Sequence, residues 1–166
     1  MWQYRRLEAR VRKLAKERCL AIYTGVSLDT LRLEDKPIKL GELDRNNNFV
    51  LGANLENRIN VPKYFWKLIV DKRKGQAIAV VGINNVHERV DPSRDVPCRS
   101  CKLEDISWFT QGNNNKGVFT EFTKGYMFCC TLSEFRTFLT YDPAPELSAN
   151  FPLLKHERDS NTDLIG

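Results

Sequence analysis

The sequence contains no long apolar segment. Its 166 residues include no run of about 18 apolar residues, the length that a membrane-spanning helix needs. The first ten residues, MWQYRRLEAR, lack the apolar region of a secretory signal peptide. The sequence therefore excludes a membrane-spanning helix and is compatible with two compartments, the cytosol or, if the amino-terminal part of the protein is absent from this chain, the secretory pathway.

Histidine is also scarce, since only His87 and His156 occur. His87 lies in a polar stretch, where a solvated side chain is commoner than a base or a metal ligand. No Asn-x-Ser/Thr acceptor is present, so glycosylation gives no independent support for secretion.

The five cysteines form a pattern with two interpretations. Cys98 and Cys101 form a C-x-x-C, and the adjacent Cys129 and Cys130 follow about 30 residues later. A four-thiolate zinc site is one interpretation, but adjacent cysteines lack the spacing of a second zinc knuckle. We favour two disulfides between the Cys98 loop and the Cys129 strand, with their connectivity open, as is typical of an oxidising compartment. Cys19 is expected to be buried as a small hydrophobe.

The apolar residues suffice for one globular domain, since 42% of the chain is hydrophobic and 10% is aromatic. Residues 61–71, VPKYFWKLIVD, alternate with the period of a strand. After the turn residues KRKG, residues 76–83 are apolar on both faces, which is typical of a central strand. These patterns predict a long hairpin from Pro62 to Ile83 at the centre of a mixed sheet.

The predicted fold class is α+β, with a mixed, mostly antiparallel sheet and flanking helices. The domain is predicted over residues 1–140, and residues 141–166 are expected to form a polar C-terminal tail. The remaining elements are a helix over 2–18, strands over 20–24, 30–33, 37–40 and 126–131, a loop or edge segment over 41–60, and a helix over 132–139 that Ser133 caps.

The first predicted helix carries the whole net charge of +5, because residues 1–18 hold seven basic and two acidic side chains. Such a helix attracts a polyanion, although a solvated helix face is the alternative. Glu8 lies at the edge of the apolar stripe and therefore needs a partner. Arg12, one turn later, is a candidate for an ion pair, and the alternative is that Glu8 faces a cation or phosphate beyond the helix. The stripe itself consists of Tyr4, Leu7, Val11, Leu14 and Ala15.

Five motifs, in order, resemble the DNA/RNA non-specific endonuclease family. They are LEARVRKLA at 7–15, IYTG at 22–25, VPKYFWKLIVD at 61–71, GINN at 82–85, and the C-x-x-C followed by GYMFCC. The resemblance covers about residues 4–140 and is to the C-terminal half of the family domain, with secreted arthropod members the most similar. It implies a ββα-metal fold, secretion, and hydrolysis of DNA and RNA with one magnesium ion.

The resemblance also implies an active site of three parts. These are an Asp-Arg-Gly-His segment with the general-base histidine, an asparagine that binds the metal, and a Leu-Glu-x3-Arg helix. The third part is present as Leu7, Glu8 and Arg12. Glu8 is thereby expected to contact the magnesium ion through water and Arg12 to face the scissile phosphate. Arg5, Arg12 and Lys16 are the candidate nucleic-acid contacts.

The chain departs from the family pattern at three points. Neither His87 nor His156 lies in an Asp-Arg-Gly-His segment, and no asparagine precedes Glu8. The family tryptophan falls on Tyr4, with Trp2 two positions away. Because hydrolysis needs both a base and a cation, we expect the chain as given to be inactive or nearly so.

Two functions from different classes remain at this stage. One is an endonuclease chain that is amino-terminally incomplete, and the other is a non-catalytic nucleic-acid-binding module. The expected partners are DNA and RNA, no membrane, and either a second copy in a homodimer or a missing amino-terminal half. In the family that half adds strands to the same sheet, so we expect an exposed apolar face or sheet edge.

Overall fold

The computed structural model describes residues 2–29, 42–43, 49–51, 59–84, 91, 93, 96–102, 126–147 and 151–155. The described elements are α1 (Trp2–Glu17), β1 (Leu20–Val26), β2 (Glu42–Leu43), β3 (Phe49–Leu51), β4 (Ile59–Asn60), β5 (Tyr64–Asp71), β6 (Gln76–Ile83), β7 (Met127–Cys130) and α2 (Leu132–Phe138). A four-stranded antiparallel sheet in the order β1-β5-β6-β7 has α1 on one face and α2 on the other, which confirms the predicted α+β class. No helix in these ranges has the length and hydropathy to cross a membrane.

The predicted central hairpin is confirmed as β5 and β6, which pair from Tyr64 and Ile83 to Asp71 and Gln76. Asp71 accepts hydrogen bonds from the backbone N–H groups of Arg73 and Lys74 at 3.0 and 3.1 Å, which fixes the turn. Gly75 has a φ of 62°, a left-handed conformation that glycine adopts without steric cost. The three ladders of this sheet are antiparallel, and within the described part of the chain one parallel bridge joins Ala77 and Leu153.

Helix α1 packs on one face of the sheet, which we call the α1 face. Its residues are good helix formers without Gly or Pro, and Leu7, Val11 and Leu14 recur at helical spacing. Ala15 was predicted in this stripe but is exposed. The prediction that Cys19 is buried is also wrong, because Cys19 lies exposed in the link between α1 and β1 while Leu20 packs on the core. The α1 core contains Leu7, Val11, Leu14, Ile69, Ile78, Val80, Met127, Cys129 and Leu154.

Helix α2 packs on the opposite face, where the core is aromatic. The rings of Trp66 and Phe135 meet edge to face at 5.3 Å, and those of Tyr64 and Phe138 at 5.0 Å, the arrangement that the aromatic quadrupole favours. The predicted cap is wrong by two residues, because Thr131 caps the helix and Ser133 lies in its first turn. Thr131 and Glu134 form a reciprocal capping box.

The predicted pair of disulfides is confirmed, with Cys98 bonded to Cys130 and Cys101 bonded to Cys129. These four cysteines therefore do not form the alternative zinc site. Successive side chains of a strand point to opposite faces, so Cys130 belongs to the α2 core and Cys129 to the α1 core. The adjacent cysteines thus attach one loop to both faces of β7.

The segment 41–60, predicted as loop or edge, contains the short strands β2, β3 and β4, which form a second antiparallel sheet. The predicted strands over 30–33 and 37–40 lie outside the described residues. Part of the segment expected to be a tail packs on the domain, because Ala144, Leu147 and Leu154 are buried. Arg136 also donates hydrogen bonds to the carbonyl groups of Ala144 and Leu147 at 2.8 and 2.7 Å.

Gly25 is required by close packing between neighbouring strands. It pairs with Trp66, and a Cβ atom at position 25 would overlap the indole ring. We expect Gly25→Ala to destabilise the protein by about 1–3 kcal/mol, measured by urea unfolding. Gly82→Ala is the matched control, because a Cβ there would meet Met127 Cγ at an ordinary 3.7 Å. Equal stability of the two variants would contradict this account.

Glu134 makes stability depend on pH. Burial alone would raise the pKa of its carboxyl, but hydrogen bonds from the backbone of Ser100, Arg99 and Thr131 and from the Ser100 side chain lower that pKa from 4.5 to about 2. The folded-state pKa lies below the unfolded one, so the stabilisation is complete above about pH 4.5 and is lost as the pH falls towards 2.

We therefore expect Glu134→Gln to cost about 1–2 kcal/mol of unfolding free energy at pH 7, and its deficit relative to the parent to shrink from pH 4.5 downward. Urea unfolding at pH 7 and pH 3 measures both quantities. Glu17→Gln, which changes an exposed carboxylate at the end of α1, is the control. A deficit for Glu134→Gln that is constant with pH would refute the assignment.

Candidate functional site

Glu8 lies at the boundary between the buried and exposed sides of α1. Its Oε1 atom forms an ion pair with Lys67 Nζ at 3.4 Å. The partner of Glu8 is therefore a strand residue. The ion pair with Arg12 within the helix, which was one of the two sequence-based interpretations, is not formed. The Glu8 side chain is 43% exposed and that of Lys67 is 9% exposed, so a buried ammonium group in the sheet binds a carboxylate that is still accessible to solvent.

Lys67 is a charged residue in the interior of the sheet. It lies in β5 on the α1 face, between Thr24 of β1 and Val80 of β6 in the adjacent register positions. Ile69, two residues later on the same face, belongs to the α1 core. Burying an ammonium group is costly unless a counter-charge accompanies it, and Glu8 supplies one.

Three basic side chains lie with Glu8 along one side of α1. Arg5, Arg12 and Lys16 are spaced from Glu8 by three, four and eight residues, which places all four on one side of an α-helix. All three basic residues are exposed. We call Arg5, Arg12 and Lys16 the basic stripe. The structure thus brings the predicted nucleic-acid residues to the same helix flank as the predicted catalytic Glu8.

The α1 face of the edge strand β1 is open. Every second residue of β1 lies on that face, namely Ile22, Thr24 and Val26. Ile22 and Val26 are 41% and 42% exposed. Within the described ranges, β5 is the only strand that pairs with β1, and the phenol of Tyr141 donates a hydrogen bond to the Val26 carbonyl at 3.0 Å. The expected apolar sheet edge therefore occurs at β1, beside Lys67.

A second ion pair fixes the other end of α1. Arg18 Nη1 lies 3.7 Å from Oδ2 of Asp71, which is buried at the end of β5. Sequence reasoning missed the roles of both Asp71 and Lys67. The available signal was the presence of two charges, four residues apart, on one face of an otherwise apolar strand.

The chemistry of the donor set limits what this site holds by itself. Among the described residues, no three or more His, Cys, Asp or Glu side chains are grouped so that they could hold a metal ion. Magnesium keeps several water ligands and is often bound through one or two carboxylates, so Glu8 fits a contact through water but does not make a complete metal centre. His87, His156 and the side chains of Trp2 and Tyr4 lie outside the described residues.

Comparison with known proteins gives one family and three relatives. The model of the DNA/RNA non-specific endonuclease family matches residues 2–135. The salivary endonuclease of Lutzomyia longipalpis is 32% identical over 133 residues, which are 78% of this chain and 28% of that protein. Salivary protein Tsal2A of Glossina morsitans morsitans is 33% identical over 75 residues, 45% of this chain and 17% of the relative. Salivary protein Tsal1 of the same organism is 27% identical over 79 residues, 48% of this chain and 18% of the relative. No solved structure matches the chain significantly.

The curated relatives are much longer than the segment they share with this chain, which spans 28% of the first and less of the other two. The family match, in contrast, runs through most of the chain and includes α1, the central hairpin and β7. The chain belongs to the DNA/RNA non-specific endonuclease family.

Proposed function

We propose that this chain binds the phosphate backbone of DNA and RNA through the basic stripe of α1 and carries the acidic residue of a magnesium-dependent phosphodiesterase site. The observation that carries the proposal is the placement of Glu8, which buried Lys67 holds at 3.4 Å beside the exposed Arg12. An anchored carboxylate next to a guanidinium gives one surface both an acceptor for water and a donor for phosphate.

The chemistry of the helix flank fits a polyanionic substrate. Arg12 presents a planar guanidinium that donates two parallel hydrogen bonds to a phosphate, and Glu8 orients a water molecule by accepting its hydrogen bond. Magnesium, when bound, supplies positive charge that stabilises the developing charge on phosphorus oxygens. Contacts to phosphate carry no sequence information, so such a surface accepts DNA and RNA of any sequence.

We propose further that these 166 residues alone do not complete the catalytic set. The sequence contains neither an Asp-Arg-Gly-His segment nor an asparagine before Glu8. A general base and a direct metal ligand each contribute several powers of ten to hydrolysis, and Glu8 cannot replace both. A non-catalytic nucleic-acid-binding module is therefore the second candidate, and the same basic stripe supports it.

The cellular setting is part of the proposal. Two disulfides are typical of an oxidising compartment, and the relatives are described as salivary proteins. These observations support a secreted protein.

The binding proposal predicts a salt-dependent affinity that depends on the basic stripe. Arg12→Ala should weaken binding to a labelled duplex and reduce the slope of log affinity against log salt by about 0.9, because one phosphate contact is lost. Fluorescence anisotropy across a salt series measures both quantities. Lys72→Ala, which removes an exposed cation from the hairpin turn, should leave the slope unchanged. Affinity that does not vary with salt would exclude backbone binding.

The catalytic proposal predicts no nicking by the chain alone. Supercoiled plasmid incubated with the 166-residue chain and magnesium chloride should be nicked no faster than in buffer, because the base and the direct ligand are absent from the sequence. Gel electrophoresis of the relaxed form is the readout. Magnesium-dependent turnover that Glu8→Ala abolishes would overturn the proposed inactivity and make the chain an enzyme by itself.

A further inference from the structure

We infer that Lys67 is a positioning residue for Glu8, a role that rests on the proposed function of Glu8 and goes beyond it. Lys67 does not reach solvent as a phosphate-binding lysine would, because its side chain is 9% exposed. Its ammonium group instead contacts the carboxylate that we propose to act on water. The sheet thereby sets the position of a helix side chain that has three rotatable bonds of its own.

The position of Lys67 in the sheet makes it a rigid support. β5 is an interior strand, paired on both sides, and Lys67 lies mid-strand with Thr24 and Val80 beside it in register. A lysine side chain has considerable rotamer freedom when it is exposed, and burial removes most of that freedom before any ligand arrives. Glu8 is correspondingly held at its Oε1 atom, although 43% of its side chain is exposed.

The ion pair also leaves part of the Glu8 carboxylate available to a ligand. A carboxylate accepts hydrogen bonds at two oxygen atoms, and the contact with Lys67 engages Oε1. The ion pair therefore leaves acceptor capacity on a carboxylate group whose side chain is 43% exposed, and that capacity fits contact with a hydrated cation through water.

A purely structural role for Lys67 is the alternative explanation. The two roles differ in whether replacing Lys67 changes the contribution of Glu8 to ligand binding. If Lys67 only fills space and supports α1, its replacement changes stability and leaves the effect of Glu8 on ligand binding unchanged. If Lys67 positions Glu8, its replacement abolishes that effect. A double-mutant cycle separates the two possibilities because the effect of Glu8 is measured within each background.

The experiment measures binding of a fluorescein-labelled oligonucleotide by anisotropy, in magnesium chloride and in sodium chloride with a chelator at equal ionic strength. The variants are Glu8→Gln, Lys67→Met and both together. Methionine replaces the lysine stem by an apolar side chain of similar length, and the Glu8 carboxylate that loses its partner is 43% exposed, so water can solvate it. Urea unfolding confirms that each variant folds.

In the parent background we expect Glu8→Gln to weaken binding about fivefold in magnesium chloride and not at all in sodium chloride. A fivefold effect is at the upper end of what a partly exposed charge contact contributes. In the Lys67→Met background the same substitution should have no magnesium-specific effect. In the Lys67→Arg background, which keeps the positive charge, Glu8→Gln should again weaken magnesium-dependent binding, though by less than in the parent. Lys72→Met, which removes an exposed lysine, should leave the full effect of Glu8→Gln.

Two different outcomes would overturn two different claims. If Glu8→Gln costs the same fivefold with and without Lys67, the positioning role is wrong and the proposed function of Glu8 stands. If Glu8→Gln has no magnesium-specific effect in the parent, the proposed function of Glu8 is wrong and the role of Lys67 is refuted with it.

Discussion

Two ion pairs with buried charged residues of β5 set the position of α1 on the sheet, and the rest of the site depends on that position. Lys67 pairs with Glu8 and Asp71 pairs with Arg18. Four strand residues span about 13 Å, and ten helix residues span about 15 Å. The two spacings match, so α1 runs along β5 in the same direction. Apolar packing of Leu7, Val11 and Leu14 gives the helix its affinity for the sheet, and the two ion pairs fix its translation and rotation.

This position of α1 explains why its charged flank lies next to the exposed face of β1. The rotation that buries Leu7 and Val11 places Glu8 at the margin of the sheet, and it leaves Arg5 and Arg12, three residues before and four after Glu8, exposed. β1 follows α1 after a short link and pairs with β5 from Leu20 to Val26, so it lies beside Lys67. The result is a surface bounded by cations on the helix side and by exposed Ile22 and Val26 on the strand side.

Local patterns predicted most of the fold, and contacts between distant segments account for what they missed. The period of residues 61–83 specified the hairpin, and the spacing of apolar residues specified α1, because both signals reside in neighbouring residues. The partner of Glu8 lies 59 positions away, and no spacing rule within a helix points to it. Ser133 and Thr131 are both suitable residue types for a helix cap, and only the backbone path shows that Thr131 occupies the cap position. Polar composition similarly concealed Leu154, whose burial depends on β6 and α1.

The opposite orientation of Cys129 and Cys130 has a consequence for how β7 finds its partner. A shift of one residue along β6 would exchange the faces of the two sulfur atoms, and both would then point away from the cysteines that bond them. The observed pairing of the four cysteines thus fits the observed alignment of β7 and does not fit an alignment shifted by one residue. The two disulfides therefore hold β7 in its native alignment on β6 once they have formed.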